Sequence, residues 1–213
     1  MNKPTNPYRQ DLRKKILATA MAAFREKGVK AVKMDDIASQ LSISKRTLYE
    51  LYDNKEDLLY ACVFDHDQTF EKRLKAMMED GENTVIDVLI CFMRMHIEES
   101  SKTNPVFFTE VAKYPKLIAY IDERKAKSRS RSIGFMMKGV EEGFFRSDVN
   151  YNVTNLMADV FINYVMKHEL YKQIPLHEIF RNVIMVMLRG FCTEKGLQRI
   201  DQLNLWSEIG QQE

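Results

Sequence analysis

The chain has no long hydrophobic run. A membrane-spanning helix needs about 18 or more consecutive apolar residues, and no stretch of this sequence supplies them. No membrane partner is therefore expected. Cysteine is scarce: Cys62, Cys91 and Cys192 are odd in number and far apart. They form neither a disulfide framework nor a zinc knuckle, which points to a reducing, cytoplasmic setting. The first ten residues, MNKPTNPYRQ, lack the apolar core of a secretory signal. Only 8 glycines and 5 prolines occur among 213 residues. A sheet protein needs turns, and turns draw on both. Catalytic signatures are missing as well: there is no glycine-rich phosphate loop, no HExxH and no CxxC. The four histidines (His66, His96, His168, His177) form no i, i+4 metal pair, and the consecutive side chains of Asp65, His66 and Asp67 diverge on a helix. No catalytic residue, cofactor or metal site is expected.

What the chain does contain is helical pattern. Apolar residues (45%) and charged residues (29%) suit a packed core under a solvated surface. Leu12, Ile16, Ala20, Ala23 and Phe24 mark one face of a first helix, which Gly28 closes. Short helices are predicted at 35–41 and from the N-cap Ser44 to about residue 51. Asn54 caps a long helix running to about residue 80. Further helices are predicted at 83–101, after Pro105, and at 115–145, 152–173 and 176–195, with an amphipathic piece at 203–209 carrying Trp206. Two adjoining apolar stripes on 83–101 predict deep burial of that helix. The fold class is all-α. Charge is spread unevenly: residues 1–60 carry a net +4 and residues 61–213 a net −2. An anion-binding N-terminal region follows, of the kind that meets nucleic acid.

Residues 33–52, KMDDIASQLSISKRTLYELY, have helix-turn-helix spacing. Ala38 is small where the second helix must cross the first. The turn falls at Ser42, and Ile43 and Leu48 plug the angle between the helices. Lys45, Arg46, Thr47 and Tyr49 form the exposed face of the second helix, a hydrogen-bonding and basic set suited to a major groove flanked by phosphates.

The blocks ILATAMAAFREKG (16–28), MDDIA (34–38), SKRTLYELY (44–52) and NKEDLL (54–59), in that order and spacing, resemble the N-terminal domain of the TetR (tetracycline repressor) family of transcription regulators. The resemblance covers about residues 10–70. It implies an N-terminal three-helix helix-turn-helix domain joined to a C-terminal helical ligand-binding and dimerisation domain. The expected division is a flexible arm at 1–9, a DNA-binding domain at 10–54, and a regulatory domain at 55–213 entered through helix 55–80. The expected DNA-facing set is Lys33, Met34, Ser44, Lys45, Arg46, Thr47, Tyr49, Tyr52 and Lys55. Within it, Tyr49 matches the family's phosphate-holding tyrosine. Tyr52 matches the aromatic residue that packs the recognition helix on the fourth helix, and Lys55 matches a phosphate-binding lysine at a helix start. Two positions depart from the family pattern. Ser42 stands where glycine is common, at a turn residue requiring positive φ, and Lys33 stands where threonine is common.

The resemblance also implies double-stranded DNA with a palindromic operator as partner, a homodimer, and an unknown small-molecule effector. Mixed apolar and polar residues nominate an effector pocket from Met77, Phe92, His96 and Met136 together with Phe107, Phe108 and Tyr114. The surplus apolar stripes of the last two long helices nominate a dimer interface: Met157, Phe161 and Tyr164 from one, and Phe180, Ile184, Met187 and Phe191 from the other. The basic run RKAKSRSR at 124–131 reads as a solvated helix face. Two alternatives remain beside the ligand-released repressor. One keeps the DNA-binding domain under a protein partner or in an architectural role; the other is a helical small-molecule carrier or enzyme.

Overall fold

A computed structural model of the chain describes residues 7–203. Among these residues the chain forms ten α-helices: α1 Pro7–Lys27, α2 Met34–Gln40, α3 Lys45–Tyr49, α4 Lys55–Glu79, α5 Val85–Lys102, α6 Pro105–Val111, α7 Pro115–Glu141, α8 Tyr151–Lys167, α9 Leu176–Phe191 and α10 Glu194–Gln202. A single 3-10 turn, Leu170–Lys172, follows α8. The all-α expectation holds. Residues 1–6 of the expected arm and 204–213, with Trp206, lie outside the described residues, whereas residues 7–9 already belong to α1.

The chain divides into two compact units. Among the described residues, one comprises 7–71 and 102–120; the other comprises 72–101 and 121–203. This differs from the 10–54 and 55–213 division expected from the sequence, because α6 folds with the N-terminal helices. Asn104 holds the end of α1 through its backbone N–H to the Arg25 carbonyl (2.8 Å) and its side-chain amide to the Glu26 carbonyl (3.3 Å). Glu110, itself buried, accepts a hydrogen bond from the Lys30 backbone N–H at 2.8 Å. Lys116 pairs with Asp57 and lies 4.9 Å above the Tyr60 ring. The core of this unit is built by Leu12, Ile16, Ala20 and Phe24 of α1, Ile37 and Ala38 of α2, Leu48 of α3, and Leu58 and Leu59 of α4, all buried. Those α1 positions are the four-residue repeat visible in the sequence, so the hydrophobic effect alone fixes which face of α1 turns inward.

The second unit packs α5, α7, α8, α9 and α10 around Val85, Ile86, Ile90, Met93, Phe145, Leu188 and Ile200. One of the two stripes on α5 is buried throughout, whereas the other is buried only at its start, at Val85, with Leu89 half-buried. Ile86, Ile90, Met93 and Ile97 face inward, while Phe92 and His96 are exposed, which corrects the deep burial expected for that helix. Helix α7 ends at Glu141 rather than near residue 145, because Gly143 (φ +75°) turns the chain. The N–H groups of Phe144 and Phe145 then both bond the Gly139 carbonyl (2.9 and 3.0 Å), satisfying a carbonyl the helix leaves open. Helix α9 likewise stops at Phe191, short of residue 195. Cys192 is extended and bridges Phe145, and Thr193 caps α10 by accepting the Gly196 N–H. Arg199 of α10 clasps the Asp87 carboxylate of α5 at 2.7 and 3.1 Å. Burial pushes the Asp87 carboxyl up, but hydrogen bonds from Thr84 and Arg199 outweigh it and hold the group below the usual carboxylate range.

Candidate nucleic-acid interface

Two caps set the angle between α2 and α3. After Leu41 the chain enters a left-handed turn at Ser42 (φ +53°), the positive φ expected there. The Ser42 N–H bonds the Ser39 carbonyl (3.1 Å) and the Ile43 N–H bonds the Ala38 carbonyl (3.0 Å), the paired bonding of a Schellman motif. A serine in this conformation costs on the order of 1 kcal/mol relative to glycine. Ser44 then opens α3: its hydroxyl accepts the Thr47 N–H at 3.0 Å and lies 2.8 Å from the Thr47 hydroxyl. Leu48 is fully buried, so the opposite face of α3 turns outward with Lys45, Arg46 and Tyr49 exposed and Thr47 half-exposed.

Each cation on that face has a carboxylate beside it. Lys45 Nζ meets Asp35 Oδ2 of α2 at 2.5 Å, and Arg46 Nε meets Glu50 Oε1 at 3.0 Å. The hydrogen bond it donates to Asp35 raises the Lys45 ammonium above its ordinary pKa, so it is charged at any physiological pH. Lys33 is exposed and makes no side-chain cap; Asp36 accepts its backbone N–H at 3.0 Å instead. Tyr52 is half-buried, and burial pushes its phenol upward, as a packing residue requires. Met34 does not belong to the DNA-facing set: it is 7% exposed and packs inside the unit.

Lys55 has a different environment from the one expected. Its ammonium donates to the backbone carbonyls of Val29 (2.9 Å), Val32 (3.0 Å) and Lys30 (3.4 Å). An ammonium has three donors, and here all three hold the α1–α2 loop. The sequence offers no local sign of this, since the partners lie more than twenty residues away. Lys55→Met is accordingly expected to destabilise the protein by about 1.5–3 kcal/mol, the range for hydrogen bonds to a charged group. A urea unfolding midpoint measures this. An unchanged midpoint with weaker DNA binding would return Lys55 to the phosphate role.

Comparisons with known proteins decide what this unit is. Residues 16–62 match the model of the family described as bacterial regulatory proteins, tetR family. This segment carries the N-terminal domain of that family. Among its relatives is the HTH-type transcriptional repressor KstR2 of Mycobacterium tuberculosis, 25% identical over 146 residues that span 66% of this chain and 72% of KstR2. Among solved structures, a TetR-family regulator from Marinobacter aquaeolei superposes with a TM-score of 0.67 at 19% identity, over 90% of this chain and 96% of its own. A protein from Saccharomonospora viridis in complex with choline superposes with a TM-score of 0.64 at 17% identity, over 87% of this chain and all of its own. With this domain and these relatives, the protein is a DNA-binding transcription regulator and not an enzyme.

The remaining nominated residues of this chain fall into two groups. Phe107 is buried and Phe108 and Tyr114 are half-buried in the first unit, with the two phenyl rings 5.5 Å apart. Met77, Phe92, His96 and Met136 lie in the second unit. There, Phe92 and His96 meet edge to face at 4.5 Å, and Met136 is core. Of the dimer candidates, Met157 and Tyr164 are exposed and Phe161, Phe180, Ile184 and Met187 are half-buried. Phe191 is not a surface residue: it is 8% exposed, with Phe145 at 5.3 Å and Tyr151 at 5.9 Å between ring centres. Sequence reasoning passed over Val153, Leu156 and Val160, which extend the exposed apolar stripe of α8 at helical spacing, and Val186 on α9, 75% exposed. It also passed over an open groove of about 320 Å³ between α1 and α4, whose floor includes Leu17, Met21 and Cys62. Burial pushes the Cys62 thiol up to about 12, which makes it inert.

Proposed function

We propose that the protein is a transcriptional repressor that binds a palindromic operator in the cytoplasm as a homodimer and is released by a small-molecule effector. The observation that carries this reading is the outer face of α3, where Lys45, Arg46, Thr47 and Tyr49 project from a helix anchored by the fully buried Leu48. Such a face enters the major groove, where each base pair presents a distinct set of donors and acceptors. Lys33, exposed at the start of α2, suits a phosphate.

One five-residue helix reads too few bases for a genome. Two copies double the contacts and impose two-fold symmetry on the site. Support for the second copy comes from α8, where Val153, Leu156, Met157, Val160 and Tyr164 are each more than half exposed and recur every three or four residues. Contiguous apolar stripes on a folded surface mark interaction sites. Phe161 and the half-buried Phe180, Ile184 and Met187 of α9 extend this interface.

The effector reading draws on the Saccharomonospora neighbour, which is a complex with choline. In this chain the exposed pair of Phe92 and His96 offers an aromatic and polar surface for an effector. By linkage, an effector that prefers the DNA-free arrangement lowers operator affinity by the same factor.

In-vitro selection from random DNA at about 150 mM salt tests the proposal, because protein–DNA affinity is meaningful only at a stated salt concentration. The expected result is an inverted repeat with half-sites about 34–36 Å apart or a multiple of that, bound by two or more protomers in sedimentation. No enriched sequence, or a single half-site bound by one protomer, overturns it.

A further inference from the structure

The reading face of α3 carries two cations and has two carboxylates paired with them. Lys45 is tied across the helix-turn-helix to Asp35 of α2, and Arg46 is tied along α3 to Glu50. The two cations are largely exposed and the two carboxylates about half exposed, so all four are open to a ligand rather than sealed in the core. The face is therefore electrically neutral although it reads as basic in sequence.

On DNA of arbitrary sequence, attraction comes from cations that displace the counterions of the phosphates. A cation already neutralised by a carboxylate contributes little to that exchange. If the pair opens, the freed carboxylate is left near phosphates that repel it. A G·C base pair changes the balance. In the major groove guanine presents two acceptors, O6 and N7, for lysine or arginine. Its cytosine presents an N4 donor, for which aspartate or glutamate is the matching acceptor. Each ion pair on this face thus finds in a G·C pair a partner for both of its members, whereas an A·T pair offers the adenine amino donor and only single acceptors from the two bases.

We propose that Asp35 and Glu50 are specificity-determining residues, which suppress binding to random DNA by neutralising Lys45 and Arg46 and restrict α3 to half-sites with G·C pairs opposite each ion pair. This rests on the reading of α3 as the recognition helix. Asp35 and Glu50 escape a sequence-based search for DNA contacts because such a search looks for positive charge.

The test uses the full-length protein and its isosteric variants Asp35→Asn and Glu50→Gln, each checked for an unchanged thermal midpoint. The two changes lie on different segments, so a folding defect in one leaves the other informative. Selection from random DNA and titration of a random-sequence duplex are run at several salt concentrations. The wild type is expected to enrich G·C pairs at two positions of each half-site. Each variant is expected to lose the preference at one of them. Each is also expected to bind random duplex more tightly, by about three- to tenfold, with the slope of log affinity against log salt steeper by roughly 0.9 for each cation released. Wild-type selection of an operator with the variants keeping its base preference overturns the inference and leaves the operator reading standing, whatever the variants do on random duplex. So does an operator with A·T pairs at the contacted positions. Failure of the wild type to select any sequence overturns the operator reading and this inference with it.

Discussion

Replacing both Lys45 and Arg46 by alanine is expected to lower operator affinity by about a thousandfold or more while leaving the fold intact. The magnitude follows from symmetry. A bidentate contact to a base edge discriminates by ~1–3 kcal/mol, and a dimer presents each side chain twice. Four contacts at the low end of that range amount to roughly 4 kcal/mol, and about 1.4 kcal/mol is a factor of ten. The loss is deepened because Asp35 and Glu50 remain, now as unneutralised negative charges facing phosphate. Stability should change little. Both pairs are exposed, and exposed ion pairs contribute about 0–1 kcal/mol. Titration of the selected operator with wild type and variant, alongside their urea midpoints, measures both quantities. A variant that binds the operator within tenfold of wild type would mean that base readout lies elsewhere on the unit. Leu48→Ala makes the useful contrast: it touches no base, and removing a fully buried leucine destabilises the unit by about 2–5 kcal/mol. It therefore lowers binding through the fold.

The helix-turn-helix was legible in the sequence because its determinants are local. Ser44 and Thr47 are three residues apart and cap one another's turn, and Leu48 and Ala38 are apolar within a polar stretch. Even the strained position was visible: Ser42 falls where the turn demands positive φ, and it adopts it. The features that escaped depend on distant partners. Lys55 stands at a helix start, where a lysine suggests phosphate, yet its three carbonyls come from the loop before α2. Glu110 closes on Lys30 from eighty residues away, which is why α6 joins the first unit. Met34 and Phe191 sit on amphipathic segments whose periodicity names two flanking faces and leaves the inner one to tertiary packing. Helix α10 was invisible as a separate element. The apolar pattern runs on past Phe191, and only the pairing of Cys192 with Phe145 breaks it. The charged pairs on α3 were legible as residues and not as pairs, because ten positions separate Asp35 from Lys45.

The largest stability effect is expected at Phe145. Its side chain is 2% exposed, stands edge-on to Phe191, and lies against Gly139 of α7. Phe145→Ala should destabilise the protein by about 3–5 kcal/mol, the range for a buried phenylalanine whose cavity cannot collapse. That is a large share of the roughly 5–15 kcal/mol by which folded proteins exceed their unfolded chains. Gly139 supplies the mechanism and an internal control. A Cβ built there would lie 2.1 Å from Phe145 Cδ2 and 2.3 Å from Cε2, closer than any non-bonded carbons can stand. The ring is caged by Phe191 and Tyr151, and its own backbone N–H is bonded to the Gly139 carbonyl, so it has nowhere to retreat. Gly139→Ala in the wild type is therefore expected to destabilise by about 1–3 kcal/mol through overpacking. This should happen despite the ~1 kcal/mol by which alanine favours a helix over glycine. In the Phe145→Ala background the clash is gone and only the propensity gain remains, so the same change should become neutral or stabilising. Urea midpoints for the four proteins of this double-mutant cycle read the coupling directly. A Gly139→Ala effect of the same sign and size in both backgrounds would mean that the glycine is retained for some reason other than the ring it faces.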